Sequence, residues 1–205
     1  KGKFIYYVGS DFVLEPPVIE KAVRVALEEN AVAVMIPNLS DPRISFWSKV
    51  RFFERLTYVG SDEIEAARFV RRDVYEKVGG HDEAMVAYEE HDLHNRISKY
   101  GKIARVCDAF EWHIGEPTKL SEIVLKHWYY GKSVSKYIER YPSRASTQLL
   151  PIRRSFLEKR VPLLRDPSVF IGFFIYQMVR YMSAILGSIF SLFGKGTQEQ
   201  EVTNG

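Results

Sequence analysis

One stretch constrains this chain more than any other: Pro167 to Phe193 is apolar for roughly 27 residues, without an acid and with a single base, Arg180. A run of that length can cross a bilayer with some tilt. An arginine near its middle costs about 2.5–3.5 kcal/mol on insertion scales, so the helix needs a place to put that charge. Tyr176, Gln177, Arg180, Ala184, Gly187, Ser188 and Ser191 recur every three or four positions and form one stripe. The stripe predicts a helix with one side on protein and the other in lipid, either spanning the bilayer or lying in its interface. The alternative is the core helix of a soluble domain. Just upstream, 152–166 is amphipathic and basic, with Arg153, Arg154, Lys159, Arg160 and Arg165. Such a cluster favours an anionic membrane and its cytoplasmic face. Residues 152–193 are therefore expected to engage a membrane surface or bilayer, with a flexible tail over 196–205.

The residues ahead of this region read as a packed domain. With 46% hydrophobic and 14% aromatic residues in 205, the chain has ample material for one core. A net charge of +3 gives no footprint for nucleic acid as a partner. A single cysteine, Cys107, excludes an intramolecular disulfide framework and a cysteine-rich zinc site, and reads as a core thiol.

Phe4 to Val8 is an apolar run of strand length, Pro17 to Asn30 has helical spacing, and Ala31 to Ile36 is a second buried strand. A strand, a helix and a strand joined by short loops predict an α/β fold with a right-handed crossover and a mostly parallel sheet. A helix over Ile44 to Tyr58, a strand over Ala66 to Val70 and a helix over Arg72 to Val78 ended by Gly79-Gly80 follow. A helix from Glu89 to Tyr100 stopped by Gly101, and a strand from Ile103 to Trp112, complete the pattern.

In an open parallel sheet the ligand site lies at the carboxyl ends of the strands, which is where Asp11 stands in "YYVGSDFVLEPPVIEKAV". A carboxylate there can hold a hard divalent cation; it can equally cap the following turn or helix. A second candidate is the cluster Glu89, Glu90 and Asp92 at the start of a helix that also carries Arg96. The helix dipole accounts for acids in a first turn, yet three carboxylates in four positions repel one another and raise the basicity of one of them.

Together, "YYVGSDFVLEPPVIEKAV", "IEAARFVRRDVYEKVGGHDEAM", "YEEHDLHNRI" and "FEWHIGEP" resemble the second half of a GT-A-fold, family 2 glycosyltransferase, the inverting nucleotide-sugar-dependent class. The resemblance covers about residues 3–142. It implies a partial GT-A (Rossmann-like) domain over 1–142 whose N-terminal nucleotide-binding half precedes this chain, then amphipathic and hydrophobic helices over 143–195. By that resemblance Asp11 takes the metal-binding place of an Asp-x-Asp motif whose first acid is here Gly9, and His113 matches a position beside the metal or diphosphate. The implied cofactor is Mg or Mn. Glu90 takes the place of the general base, with Glu89 beside it as a partial substitute. Ser10, Glu65, Arg68, Gly80, Asp92 and Arg96 are expected to line the substrate site; for Glu65 and Arg68 an internal salt bridge is the simpler reading of the residues alone, and for His113 a structural strand end. The expected activity is transfer of a sugar from a nucleotide-sugar donor to the hydroxyl of a glycan or lipid-linked acceptor, with inversion. The competing expectation is a non-catalytic, membrane-docked remnant or partner-binding domain, favoured by Gly9 and Glu90.

Overall fold

A computed structural model describes residues 2–159 and 166–203, with side chains as far as Ser191. Arg160 and Arg165 of the basic cluster, and the side chains of the 196–205 tail, lie outside the described residues. The elements are β1 (Phe4–Tyr6), β2 (Phe12–Leu14), α1 (Val18–Glu28), β3 (Ala33–Met35), β4 (Asn38–Ser40), α2 (Phe46–Leu56), β5 (Ala67–Arg71) and α3 (Arg72–Lys77). They continue with α4 (Glu89–Ile97), β6 (Ile103–Arg105), β7 (Glu111–His113), α5 (Leu120–Arg140), α6 (Pro142–Gln148), α7 (Arg154–Glu158) and α8 (Pro167–Thr203).

The fold is α/β with two mixed sheets, ordered β1-β5-β3-β6 and β2-β7-β4. β5 runs antiparallel to both of its neighbours, β1 and β3, and β3 is parallel to β6. The expected mostly parallel sheet is therefore corrected: β1, β3 and β6 share a direction, and β5 is inserted between them in reverse. A strand buried on both faces reads as an apolar run whichever way it points, so its direction is not written in its periodicity.

The strand expected over 103–112 is also two strands in different sheets. β6 pairs with β3, the chain bends at Cys107 and Asp108, and β7 pairs with β2 and β4. Cys107, expected in the core, is exposed on that bend. The same crossing occurs from β1 to β2 and from β3 to β4. Each forward strand of the first sheet thus feeds the second, where β2 runs antiparallel to β7, so the β1–β2 turn meets the exit of β7 and not its entry.

The core beneath is conventional. α1 buries Val18, Ala22 and Ala26 against Val34, Ile36 and Phe69, and on the other face of the sheet Leu93 and Ile97 of α4 meet Val70 and Val74. Burying each large apolar side chain contributes about 1.5–3 kcal/mol. α3 stops where Gly79 and Gly80 take φ of +80° and +67°.

α8 is the long C-terminal apolar helix, and Pro167–Ser191 is long and apolar enough to cross or dock on a membrane. Val169, Phe173 and Tyr176 pack with Val50, Tyr58, Ile123 and Phe156. The backbones of α5 and α8 lie close, because a Cβ on Gly131 would overlap the Ala184 carbonyl and one on Gly187 would overlap that of Trp128. Ser188 Oγ donates to the Gly131 carbonyl at 2.7 Å. All seven residues of the sequence stripe lie on this packed or partly packed side. The opposite side exposes Ile171, Phe174, Met178, Met182, Ile185 and Leu186.

Arg180 is placed by Glu54, a fully buried carboxylate of α2. Its Nη1 lies 3.1 Å from Glu54 Oε1, and Gln177 Nε2 donates to the same oxygen at 3.0 Å. Arg51 and the Tyr58 hydroxyl also donate to Glu54. Burial alone would raise the Glu54 pKa, but Arg51, Arg180 and the Tyr58 hydrogen bond outweigh it and lower it to about 2.

Two outcomes follow for stability. Gly187→Leu forces α5 and α8 apart, and a lowered thermal midpoint equivalent to about 1–3 kcal/mol or more is expected in a melting experiment. Because the folded-state pKa of Glu54 is depressed, its stabilisation is complete above 4.5 and is lost as pH falls toward about 2. Glu54→Gln should flatten the acid limb of a stability–pH curve in that window.

Candidate active site

Antiparallel pairing of β2 with β7 brings two sequence segments together. Gly9-Ser10-Asp11 turns the chain from β1 into β2, and the Asp11 carbonyl accepts from Ile114 N at 2.9 Å, which ties this turn to the loop after β7. The Asp11 carboxylate rests between two glycines. A Cβ on Gly9 would stand 2.6 Å from Asp11 Oδ1, and one on Gly115 would overlap the same carboxylate. A side chain at position 9, where the resemblance has an acid, would therefore displace the Asp11 carboxylate and the Phe12 ring from these positions.

His113 ends β7, with Nε2 at 2.8 Å from Asp11 Oδ2 and Nδ1 at 2.9 Å from Glu116 Oε1. Nδ1 lies near Glu116 without hydrogen-bond geometry, so the ring's hydrogen-bond contact is the one from Nε2 to Asp11. Glu116 is buried and ionised: burial would raise its pKa, but Arg55, Arg51 and His113 hold it well below the usual carboxylate range. Arg55 Nη2 and Ser40 Oγ each donate to Glu116 at 2.8 Å. A buried carboxylate behind one ring nitrogen leaves the other aimed at Asp11, the arrangement that orients metal-ligating histidines. Among the described residues no group of three or more His, Cys, Asp or Glu could hold a metal. Asp11 and His113 present one carboxylate oxygen and one ring nitrogen side by side, groups of the kinds that ligate divalent cations.

The second half of the site is a cavity of about 790 Å³ between α4, α5, α8 and the end of the first sheet. Glu89, Glu90, Arg68 and Glu65 line it, together with Arg51, Arg55, Arg153 and Arg180. α4 enters it through Tyr88, whose φ of +64° is left-handed and whose ring stacks on Tyr137 at 4.9 Å. Glu90 lies 3.6 Å from Arg68, and Arg68 also pairs with the buried Glu111, which accepts from the Tyr6 hydroxyl. Glu89 makes no ion pair among the described residues, and its pKa is raised, first by burial and then by Glu90. Asp11, His113 and Glu116 do not line this cavity, whereas Tyr130 of α5 does. Burial raises its pKa, and Glu89, Glu90, Glu116 and Asp11 all add to the shift.

The residues expected from sequence are therefore divided. Asp11 with His113, and Glu89 and Glu90 with Arg68, form the two halves. Ser10 is exposed in the first turn. Glu65 reaches the cavity but pairs with Arg105, not with Arg68, and accepts from Gly60 N. Gly80 packs beneath the Tyr75 ring. Asp92 is fully buried in a separate cluster with Arg96, Arg140 and the Tyr141 hydroxyl, so it and Arg96 anchor α4 to the end of α5 outside the cavity lining.

The sequence reading missed Glu111 and Glu116, although both lie in "FEWHIGEP", and the Glu116 partners Arg51 and Arg55, which face inward one turn apart on α2. It also missed His127, whose buried Nε2 has no hydrogen-bond partner among the described residues. Burial, with Arg180 and Arg51 nearby, lowers the His127 pKa to about 3 and keeps it neutral.

Comparison with protein-family models and with curated proteins finds no match. The geometry therefore carries the functional reading.

Gly115→Ala tests the cradle around Asp11. The variant should fold, yet its His113 imidazole resonances should move in a nitrogen-15 NMR spectrum; unchanged resonances would mean that Gly115 does not set the pair.

Proposed function

We propose that this chain is the catalytic part of an inverting, nucleotide-sugar-dependent glycosyltransferase that works at a membrane surface on a lipid-linked acceptor. One observation carries the reading. The cavity lined by Glu89, Glu90 and Arg68 is also lined by Val134, Ile138, Ile185 and Ile189, and Ile185 and Ile189 are exposed on the apolar side of α8. An amphiphile whose hydroxyl meets the acids and whose chain leaves along α8 matches both sets of residues.

In this reading Glu90 accepts the proton of the acceptor hydroxyl, the oxygen attacks the anomeric carbon, and the bond to the nucleoside diphosphate breaks in one in-line displacement. The sugar therefore changes configuration. Asp11 and His113 would hold a divalent cation, which neutralises charge on the departing diphosphate. Lys126 of α5, within electrostatic reach of Glu116 and Asp11, adds a positive charge on the same side. Arg68 fixes Glu90 and balances the two acids beside it.

The membrane contact follows from the unpartnered side of α8 together with Leu125 and Tyr129 of α5, which are 68% and 55% exposed. An interfacial position is favoured over a span. The packed side of α8 is held along α2, whose Lys49, Arg51, Glu54 and Arg55 would otherwise enter the hydrocarbon. Arg154 and Lys159 nearby, both exposed, supply attraction to an anionic, cytoplasmic leaflet, worth about 1 kcal/mol for each cation close to the surface. A non-catalytic docking protein is the alternative, and it draws on Gly9 and on Glu90 where the family has aspartates.

Calorimetric titration with Mn²⁺ and a panel of nucleoside diphosphates separates the two readings, with metal-dependent binding lost in Asp11→Asn. Glu90→Gln should lower transfer by about 100-fold or more, the scale of losing a general base, with donor binding retained. A crippled Glu89→Gln beside a mild Glu90→Gln would move the base by one residue. For the membrane, Met182→Glu combined with Leu186→Glu should release the chain from anionic liposomes in a flotation assay without lowering its thermal midpoint, since both side chains are exposed. Retained flotation would remove α8 as the docking surface.

A further inference from the structure

A series of close, largely buried contacts joins α8 to the Asp11–His113 pair, in which the approaches of Arg51 Nε and His113 Nδ1 to Glu116 lack hydrogen-bond geometry. Arg180 and Gln177 of α8 meet Glu54 Oε1 at 3.1 and 3.0 Å. Arg51 pairs with the other oxygen of Glu54 and lies, through Nε, 3.7 Å from Glu116 Oε1. That same Glu116 oxygen stands 2.9 Å from His113 Nδ1, and His113 Nε2 stands 2.8 Å from Asp11. Glu54 and Glu116 are 0% and 4% exposed, so water and salt screen these contacts weakly. The Arg51 guanidinium is planar and cannot turn toward one carboxylate without moving relative to the other.

We infer that Arg51 is a positioning residue that transmits the seating of α8, through Glu116, to the orientation of His113, so that the cation-binding pair is set only while α8 lies in place on α2. This inference rests on the proposed role of Asp11 and His113. The consequence is a transferase whose donor site depends on the helix that meets the membrane. The competing account treats each ion pair as separate packing, with Arg55 and Ser40 sufficient to hold Glu116.

The two accounts differ in variants of the full chain on vesicles of phosphatidylglycerol. Arg51→Lys keeps a cation beside Glu54 but lacks the fork, and Arg180→Gln loosens α8 without touching the pair. Tyr137→Phe, which removes a buried hydrogen bond to Gln148, serves as a control for general destabilisation. Mn²⁺ affinity is read by electron paramagnetic resonance, and the His113 ring by nitrogen-15 NMR. Both Arg51→Lys and Arg180→Gln should weaken Mn²⁺ binding by about tenfold or more, the scale for partners that orient a ligand. Both should also move the His113 resonances, while Tyr137→Phe lowers the thermal midpoint and moves neither reading. Unchanged affinity and resonances in the two arginine variants, or equal shifts in Tyr137→Phe, would overturn the inference. If the wild-type chain bound no Mn²⁺, the metal role would fall, and the His113 resonances alone would still decide: they move in Arg51→Lys or the relay does not exist. Should Arg51→Lys not fold, Arg180→Gln carries the same reading.

Discussion

A carboxylate with no solvent contact cannot remain charged alone, and Glu54 is the point on which the C-terminal half of this fold depends. Two arginines from different helices, a tyrosine hydroxyl and a glutamine amide converge on it. Such a cluster is poor evidence for net stability, because desolvation takes back most of the Coulomb energy. Its value is specificity. Apolar contacts would let α8 slide or rotate on α2 and α5, whereas Arg180 and Gln177 meet Glu54 at one rotation only. The charge that looked costly inside an apolar helix is thereby the group that fixes the helix.

The same fixing determines what α8 leaves uncovered. With Gly131 and Gly187 allowing α5 and α8 into backbone contact, the small and polar residues are consumed in the packed side. The bulky Ile, Phe, Met and Leu side chains remain outside as one continuous surface. Exposed surfaces of this kind mark contact with another molecule or a membrane. The cavity beneath shares residues with that surface, which joins the apolar route to the charged site.

Periodicity revealed α1, α2, α4 and the two-sidedness of α8, because each buries one stripe and solvates or leaves open the other. It did not reveal the reversal of β5, nor that residues 103–112 are cut at Cys107, since three-residue strands such as β6 and β7 carry too few positions to alternate. α5 escaped for a different reason. It buries Ile123 and Tyr137 yet exposes Leu125 and Tyr129, so its apolar residues surround the helix and blur the period. In the site, Asp11 and His113 were legible as strand-end residues. Glu111 and Glu116 were not, because a buried acid is indistinguishable in sequence from a solvated one until the arginines facing it are known. Those arginines come from α2 and β5, about 40 to 65 positions away in the chain.

Three carboxylates within the first turn of α4 pose a repulsion that the helix dipole only partly offsets. The fold resolves it by giving each acid a different direction. Asp92 turns inward to Arg96, Arg140 and Tyr141, where these hydrogen bonds outweigh burial and hold its pKa below the usual range. Glu90 turns toward Arg68, and Glu89 is left half-buried, with no ion pair among the described residues and a raised pKa. Tyr88, strained into the left-handed region and clamped on Tyr137, sets the angle at which the turn begins. One acid thus serves the fold, and two face one cavity, one of them paired with Arg68. The turn's crowding is relieved by placing its acids in unlike surroundings, without removing Glu89 or Glu90 from the cavity.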